Sequence, residues 1–444
     1  MPKCRLHSLL LCVSVLLLQA HVHAGDKRMT QLRDEVREQM LDHLNQWYPR
    51  CVDLEHGGFH ASFAHDWTML PDKEKLLTFQ SRMTWVAAMA AQQLPDQRDR
   101  FLPIVEHGFA MLRDKLVDKQ HGGLLWNIPI RDEDTAKLNP WWRSHKHAYA
   151  ISFALYALAK AYEVTGDETI LDFAKEQFTW FDQHAHDAVH GGYHEALTAD
   201  GKPVTIPADI AINPKWDHIG TLRGYKSMNT HIHLLESIGA LHHVWKDPIV
   251  EARFRELFAI VTEKIYVEPG CLNQVFTPGW QPIPTGDSFG HDVETAYLLV
   301  ESAELLGMPQ DTRTWQIARN LVDHALAFGF DATAGGFYDE GAAHKPAYHK
   351  TKYWWTQAEA LNALSIMDQQ FGKQTPRYRD AMLKQWHYIK RYQLDSDFGG
   401  WHGVILPDNT VKTPLEKKGH NWKGAYHTFR ALVLTSKRLE QEQP

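Results

Sequence analysis

Along most of the chain, apolar residues recur at helical spacing, in two alternating grades. Residues 148–164 are apolar almost all round, which predicts a helix buried on every side. Thr165-Gly166-Asp167 stops it, and residues 170–181 then carry a single apolar stripe, as an outer helix does. The same inner-then-outer pairing recurs at 82–92 with 101–116, and at 231–245 with 251–265. It recurs again at 295–306 with 314–328, and at 356–371 with 378–392. A sixth inner segment, 427–439, takes residues 31–47 as its outer partner.

A loop repeat separates these pairs. His56-Gly57-Gly58-Phe59, His121-Gly122-Gly123-Leu124, His190-Gly191-Gly192-Tyr193, Ala334-Gly335-Gly336-Phe337 and Phe398-Gly399-Gly400-Trp401 follow one another down the chain. With Pro269-Gly270-Cys271-Leu272 as a degenerate copy in the one long gap, this makes six loops at a period of about 65 to 79 residues. Six helical hairpins with Gly-Gly loops predict an all-α, closed (α/α)6 barrel rather than an open α-solenoid. Short extended stretches after the loops, such as 59–63 and 124–127, are expected to pair as small β-hairpins at one rim. Residues 206–225, rich in Trp and Pro, are expected to loop over the cavity.

Several polar groups sit at the N-terminal ends of the inner segments. These are Gln80-Ser81-Arg82, Asn229 with His233 and Glu236, His291-Asp292-Val293-Glu294, Trp354-Trp355-Thr356-Gln357-Ala358-Glu359, and Trp422 through Arg430. In a closed barrel those ends share one rim, so the groups converge on one cavity. His233 and Glu236, at i and i+3, share a helix face, while His231 points ~160° away. A carboxylate beside an imidazole fixes its tautomer and raises its basicity, as a general base requires. His427 with Glu359 offers a second such pair. Two bases on opposite walls suit removal of a proton from one face of a carbon and its return to the other. Arg82, with no acidic neighbour in the following turn, would stabilise charge developing on oxygen. The spacing shows no metal site on the inner segments, since His231 and His233 diverge on their helix. Asp292 and Glu294 keep a glycoside hydrolase as a rival reading, because that chemistry needs two carboxylates at a fixed separation. A non-catalytic sugar-binding protein is a second rival.

Taken jointly, these motifs resemble the N-acylglucosamine 2-epimerase / cellobiose 2-epimerase superfamily, over about residues 30–435. Lys146-His147-x-Tyr149 adds a further matching segment. The resemblance implies an (α/α)6 barrel with no metal or other cofactor. It implies functional roles for Arg82, His233, Glu236, Trp355, Glu359 and His427. Trp354, Trp422, His291, Asn229, Tyr149 and Arg430 are expected to bind substrate. It further implies epimerisation at C2 of a reducing sugar through a cis-enediolate, with cellobiose-type motifs foremost. N-acylglucosamine 2-epimerisation and mannose isomerisation are the alternatives.

Composition changes the picture in three respects. A net charge of −7 and no Lys/Arg cluster argue against nucleic acid as a partner. The start of the chain reads as an export signal: Lys3 and Arg5, then apolar Leu9 to Leu18, then Val22-His23-Ala24 with small residues placed for cleavage after Ala24. That predicts a secreted or periplasmic protein whose mature part, 25–444, is a single catalytic domain without a membrane anchor, as a monomer or homodimer. Cleavage would remove Cys4 and Cys12, leaving Cys51 and Cys271 either bonded to each other or as two thiols.

Overall fold

The computed structural model describes residues 27–441, and the leader predicted for residues 1–24 lies outside them. Twelve long helices follow in order. They are α1 (residues 27–47), α2 (Leu77–Gln93), α3 (Arg98–Ala110) and α4 (Ala148–Thr165). Next come α5 (Glu168–Ala185), α6 (Met228–Val244), α7 (Pro248–Ile260) and α8 (Phe289–Leu305). The last four are α9 (Thr312–His324), α10 (Trp354–Phe371), α11 (Arg377–Tyr388) and α12 (Tyr426–Gln441). Each even-numbered helix packs on the next even one, and α12 packs back on α2, so six inner helices close a ring. The odd-numbered helices lie outside it. This is the (α/α)6 barrel the alternation predicts.

The local chemistry explains the helix ends. The His147 side chain accepts the Tyr149 amide at the start of α4, and Gly166 takes the left-handed φ of 69° that ends it. Ser227, Asp247 and Asp311 cap α6, α7 and α9 in the same way. Four outer helices finish in a π turn, at Met111–Leu116, Val261–Ile265, Ala325–Gly329 and Ile389–Gln393. The apolar runs therefore reach 116, 265, 328 and 392 although the α-helical part stops earlier. Inner helices begin up to six residues before the apolar runs do, because the polar cavity residues occupy their first turns.

The Gly-Gly loops are built alike. An aspartate stands four residues before the first glycine, and its amide donates to the carbonyl of the second, as Asp53 does to Gly58 and Asp187 to Gly192. Its carboxylate receives a buried lysine. Lys75–Asp53 and Lys146–Asp118 lie at 2.6 Å, Lys226–Asp187 and Lys352–Asp331 at 2.8 Å, and Lys418 pairs with Asp395. Gly192 shows why glycine is needed: its φ is 71°, and a Cβ there would come within 2.7 Å of the Trp280 ring and 2.8 Å of His231. The expected local hairpins prove to be mainly ladders between units. The residues just ahead of one inner helix pair antiparallel with those after the next Gly-Gly loop, as Lys75 with Ile128 and Lys146 with Leu197. Across most of the loops themselves only single bridges form, such as Val52–Phe59. Cys51 and Cys271 are both buried free thiols, which settles the open pairing in favour of no bond.

Candidate active site

The polar N-terminal turns of the inner helices meet in a pocket of ≈ 210 Å³, lined by Arg82, Tyr149, Asn229, His233, His291, Glu294, Trp354, Trp355, Trp422 and His427. All the predicted site residues except Arg430 and the two paired glutamates therefore reach one space. The glutamates sit directly behind their histidines. Glu236 meets His233 Nδ1 at 3.2 Å, and Glu359 meets His427 Nδ1 at 2.6 Å. A carboxylate on Nδ1 holds the proton there and leaves Nε2 with a lone pair for the pocket. His231 does diverge, as expected: it bonds the Ser227 carbonyl and accepts the Tyr193 amide at a Gly-Gly loop.

Arg430 is the correction. It is only 1% exposed and lies beneath the pocket, not in it. Its guanidinium donates to Glu236 at 2.6 Å, to Glu359 at 2.8 Å, to Glu294 and to the Tyr426 hydroxyl. At three and four residues after His427 and Tyr426, it turns toward the barrel axis and ties three carboxylates from α6, α8 and α10 together. Glu294, one of the groups the sequence brings to the cavity but with no role beyond the rival hydrolase reading, forms part of the pocket floor. The spacing His291-x-x-Glu294 repeats that of His233-x-x-Glu236 and carries the same signal. Tyr297, which donates to Glu359 at 2.7 Å, has no such signature.

Electrostatics follow from burial. Desolvation lowers His233 below its ordinary value against the pull of Glu236, and takes His427 to about 3 despite Glu359. His291, whose Nδ1 faces the Ser288 hydroxyl at 2.8 Å, is also lowered to about 3 by burial. All three imidazoles are thus neutral near pH 7. Burial and the neighbouring Glu359 push Glu294 up, against the pull of Arg430. Arg82 faces the pocket differently from Arg430. Its one side-chain hydrogen bond goes to Tyr149 at 2.8 Å, and it lies over the faces of Phe153 at 4.1 Å and Tyr426 at 5.1 Å.

The hydrolase reading loses its carboxylate pair. Glu294 points to the floor, while Asp292 points outward to His324 on α9, 2.9 Å away. The loop 206–225 does not line the pocket. Asp217 is drawn into a tight turn by His147 and by the amides of Ile219 and Thr221, which sets His218 on Trp126 and Trp141 beside the mouth. Trp126 in turn lies 6.2 Å from Trp422.

The chain is similar in sequence and fold to known proteins. Cellobiose 2-epimerase from Bacteroides fragilis is 28% identical over 407 residues, covering 90% of this chain and 98% of its own. The structure of cellobiose 2-epimerase from Spirochaeta thermophila superposes with a TM-score of 0.79 at 28% identity, covering 93% of this chain and 98% of that one. D-mannose isomerase from Marinomonas mediterranea is 22% identical, over 87% of this chain and 94% of its own. Residues 57–431 match the family described as N-acylglucosamine 2-epimerase, and with the six-fold barrel and its histidine-lined pocket this places the chain as a member of that family.

Proposed function

We propose that the protein is a sugar 2-epimerase that interconverts gluco- and manno-configured reducing sugars of the cellobiose/mannobiose type. One observation carries this: two neutral imidazoles from different inner helices, each with a carboxylate on Nδ1, open Nε2 into the same pocket beside an arginine that no carboxylate neutralises. The open-chain aldehyde acidifies the proton at C2. One histidine takes it, and Arg82 holds the negative charge that forms on oxygen. As that charge develops, the opposite imidazole takes a proton from solvent onto Nε2 and gives it to the other face of C2, while the first histidine releases its own to solvent. Return of the proton to C1 instead gives the ketose, the isomerase outcome on the same scaffold. Trp355 lies 5.9 Å from His427 and 4.9 Å from His291, a flat surface for a sugar ring between them.

The test is nuclear magnetic resonance of product mixtures from glucose, mannose, cellobiose, mannobiose and N-acetylglucosamine in deuterated water. Formation of the C2 epimer with deuterium at C2 is the expected result; no new epimer from any of them overturns the reading. His233→Ala and His427→Ala are each expected to abolish net epimerisation while leaving far-UV circular dichroism unchanged. His291→Ala separates the roles. If it stops C2 exchange altogether while His233→Ala retains it, His291 replaces His233 as the second base. We also propose export, on the strength of Lys3, Arg5, the Leu9–Leu18 run and Val22-x-Ala24. N-terminal sequencing of protein from its native host is expected to begin at Gly25.

A further inference from the structure

The inner helices enclose a second space at their C-terminal ends, a well of ≈ 330 Å³ with walls from α2, α4, α6, α8 and α12. Glu163, His243, Glu304 and Lys437 are exposed at its rim, so it opens to solvent at the end of the barrel opposite the sugar pocket. Trp85, Tyr156 and Glu236, each midway along its helix, stand at its inner end. Glu236, Ala240 and His243 follow one another at helical spacing down one face of α6, from that inner end to the rim. The well far exceeds the ~15 Å³ that one water needs, and Tyr156, Lys160 and Ser302 offer water polar partners. Solvent therefore reaches the Glu236 carboxylate from below.

The two histidine–glutamate pairs differ in this respect. Glu236 meets His233 Nδ1 on the pocket side and lines the well on the other, and it is 8% exposed. Glu359 is 0% exposed and lines neither space. Its oxygens are taken by His427, Tyr297 and Arg430. Of the two pairs, that of His233 alone spans the floor from one space to the other. A sugar seated in the pocket stands between the bases and the mouth, which leaves the floor as the way for a proton to reach or leave His233 during the reaction.

We infer, on the reading of His233 as an epimerase base, that Glu236 passes a proton between His233 Nδ1 and water in the well while the sugar still fills the pocket. The C2–H bond breaks and its proton bonds Nε2, which gives an imidazolium beside the enediolate. The Nδ1 proton then moves to the Glu236 carboxylate and from there to a water of the well. What remains is a carboxylate, a hydronium ion in the well and a neutral imidazole with its proton on Nε2. A neutral imidazole is a far weaker acid than an imidazolium, so the proton taken from C2 does not fall back onto its own face. When His233 acts as the acid, the same steps run in reverse. Against burial, Arg430 and His233 hold Glu236 below its ordinary pKa, so the proton passes through the carboxylate without resting there.

The experiment plugs the well in the whole protein and reads turnover. Ala240→Leu lays a larger side chain over Glu236, because a helical side chain leans toward the preceding turn. Ser302→Leu fills the well from α8. Each is expected to lower kcat by on the order of ten- to a hundredfold, with KM unchanged. The loss is equal in both directions, since the equilibrium between the epimers is fixed. The solvent deuterium isotope effect on kcat is expected to rise above that of wild type, because discharge of His233 has become the slow step. Ala240→Ser leaves room for water and is expected to match wild type. Plugged variants that turn over at the wild-type rate overturn the inference. A lowered kcat with an unchanged solvent isotope effect overturns it as well, since that is the mark of a displaced Glu236 and not of a closed route. Should one plugged variant fail to fold, the other, on a different helix, decides. A wild type that forms no epimer sinks the epimerase reading and this route with it, whereas an active wild type with unaffected plugged variants sinks the route alone.

Discussion

Arg82 and Arg430 carry the same charge in one barrel and meet opposite surroundings. Three carboxylates wrap Arg430, so its charge is spent on the glutamates that back the histidines. Aromatic faces and one phenol surround Arg82, which leaves its fork available to a substrate oxygen. Arg82→Lys keeps the charge and loses the planar fork. It is expected to lower kcat by on the order of 10²–10³, the loss of a donor to a developing oxyanion, with circular dichroism unchanged. A kcat near wild type would remove Arg82 from the reaction. From the sequence, Arg82 was legible because nothing acidic follows it in the next turn. Arg430 was misread because its place on a polar helix end looked the same, and three carboxylates from three other helices cannot be seen in one dimension.

At the level of elements, the Lys–Asp pairs lace four of the six inner helices to a Gly-Gly loop. Lys226 and Asp187 are nearly inaccessible, and the ammonium also bonds the Gly191 carbonyl at 2.6 Å. Removing one partner strands a buried charge. Lys226→Met is expected to cost about 3–5 kcal/mol in a urea denaturation series, and the Lys226→Met/Asp187→Ala double variant clearly less than the two single losses added. Strict additivity would show that the pair is solvated. The loops were legible through their glycines, and the helices through apolar runs whose two grades told inner from outer. The aspartate four residues before each first glycine was equally regular, but its partner lysine lies some 20 to 40 residues away, beyond any periodic signal. The inter-unit ladders were missed for a related reason. Two or three residues of strand carry too little pattern to name their partner.

For the molecule as a whole, acid is the stress its interior is least suited to meet. Burial lowers His43 to about 4, His231 and His427 to about 3, and His218 to about 2, against about 6.5 in an unfolded chain. A group whose folded pKa is depressed contributes stability that is lost as pH falls. The carboxylates of Asp53, Asp118, Asp331 and Asp395, held low by their lysines against the cost of burial, act in the same sense. Between about pH 4.5 and 6.5, the histidine loss is offset by buried carboxyls such as Glu195, raised by burial to about 7, which bind protons more readily in the fold. Below about pH 4.5 those carboxyls are protonated in both states, and both remaining sets pull one way. The urea midpoint is therefore expected to change little from pH 6.5 to 4.5 and to fall steeply from 4.5 to 3, by up to ~1.4 kcal/mol per pH unit for each group. A midpoint level through that lower range would show the histidines titrating as in a free chain.

Ring closure also sets an order of assembly. Arg37 on α1 meets Glu440 on α12 across 403 positions of sequence, and α12 is the helix that returns to α2. It brings His427 and Arg430 together. As the polypeptide emerges from the ribosome, eleven helices and the glutamates of α6, α8 and α10 precede the cation that allows those glutamates to be enclosed. A nascent arc of five units cannot seal its own interior, and it stays unsealed until the final helix inserts. Maturation of the catalyst and completion of its wall are then a single event, the arrival of α12.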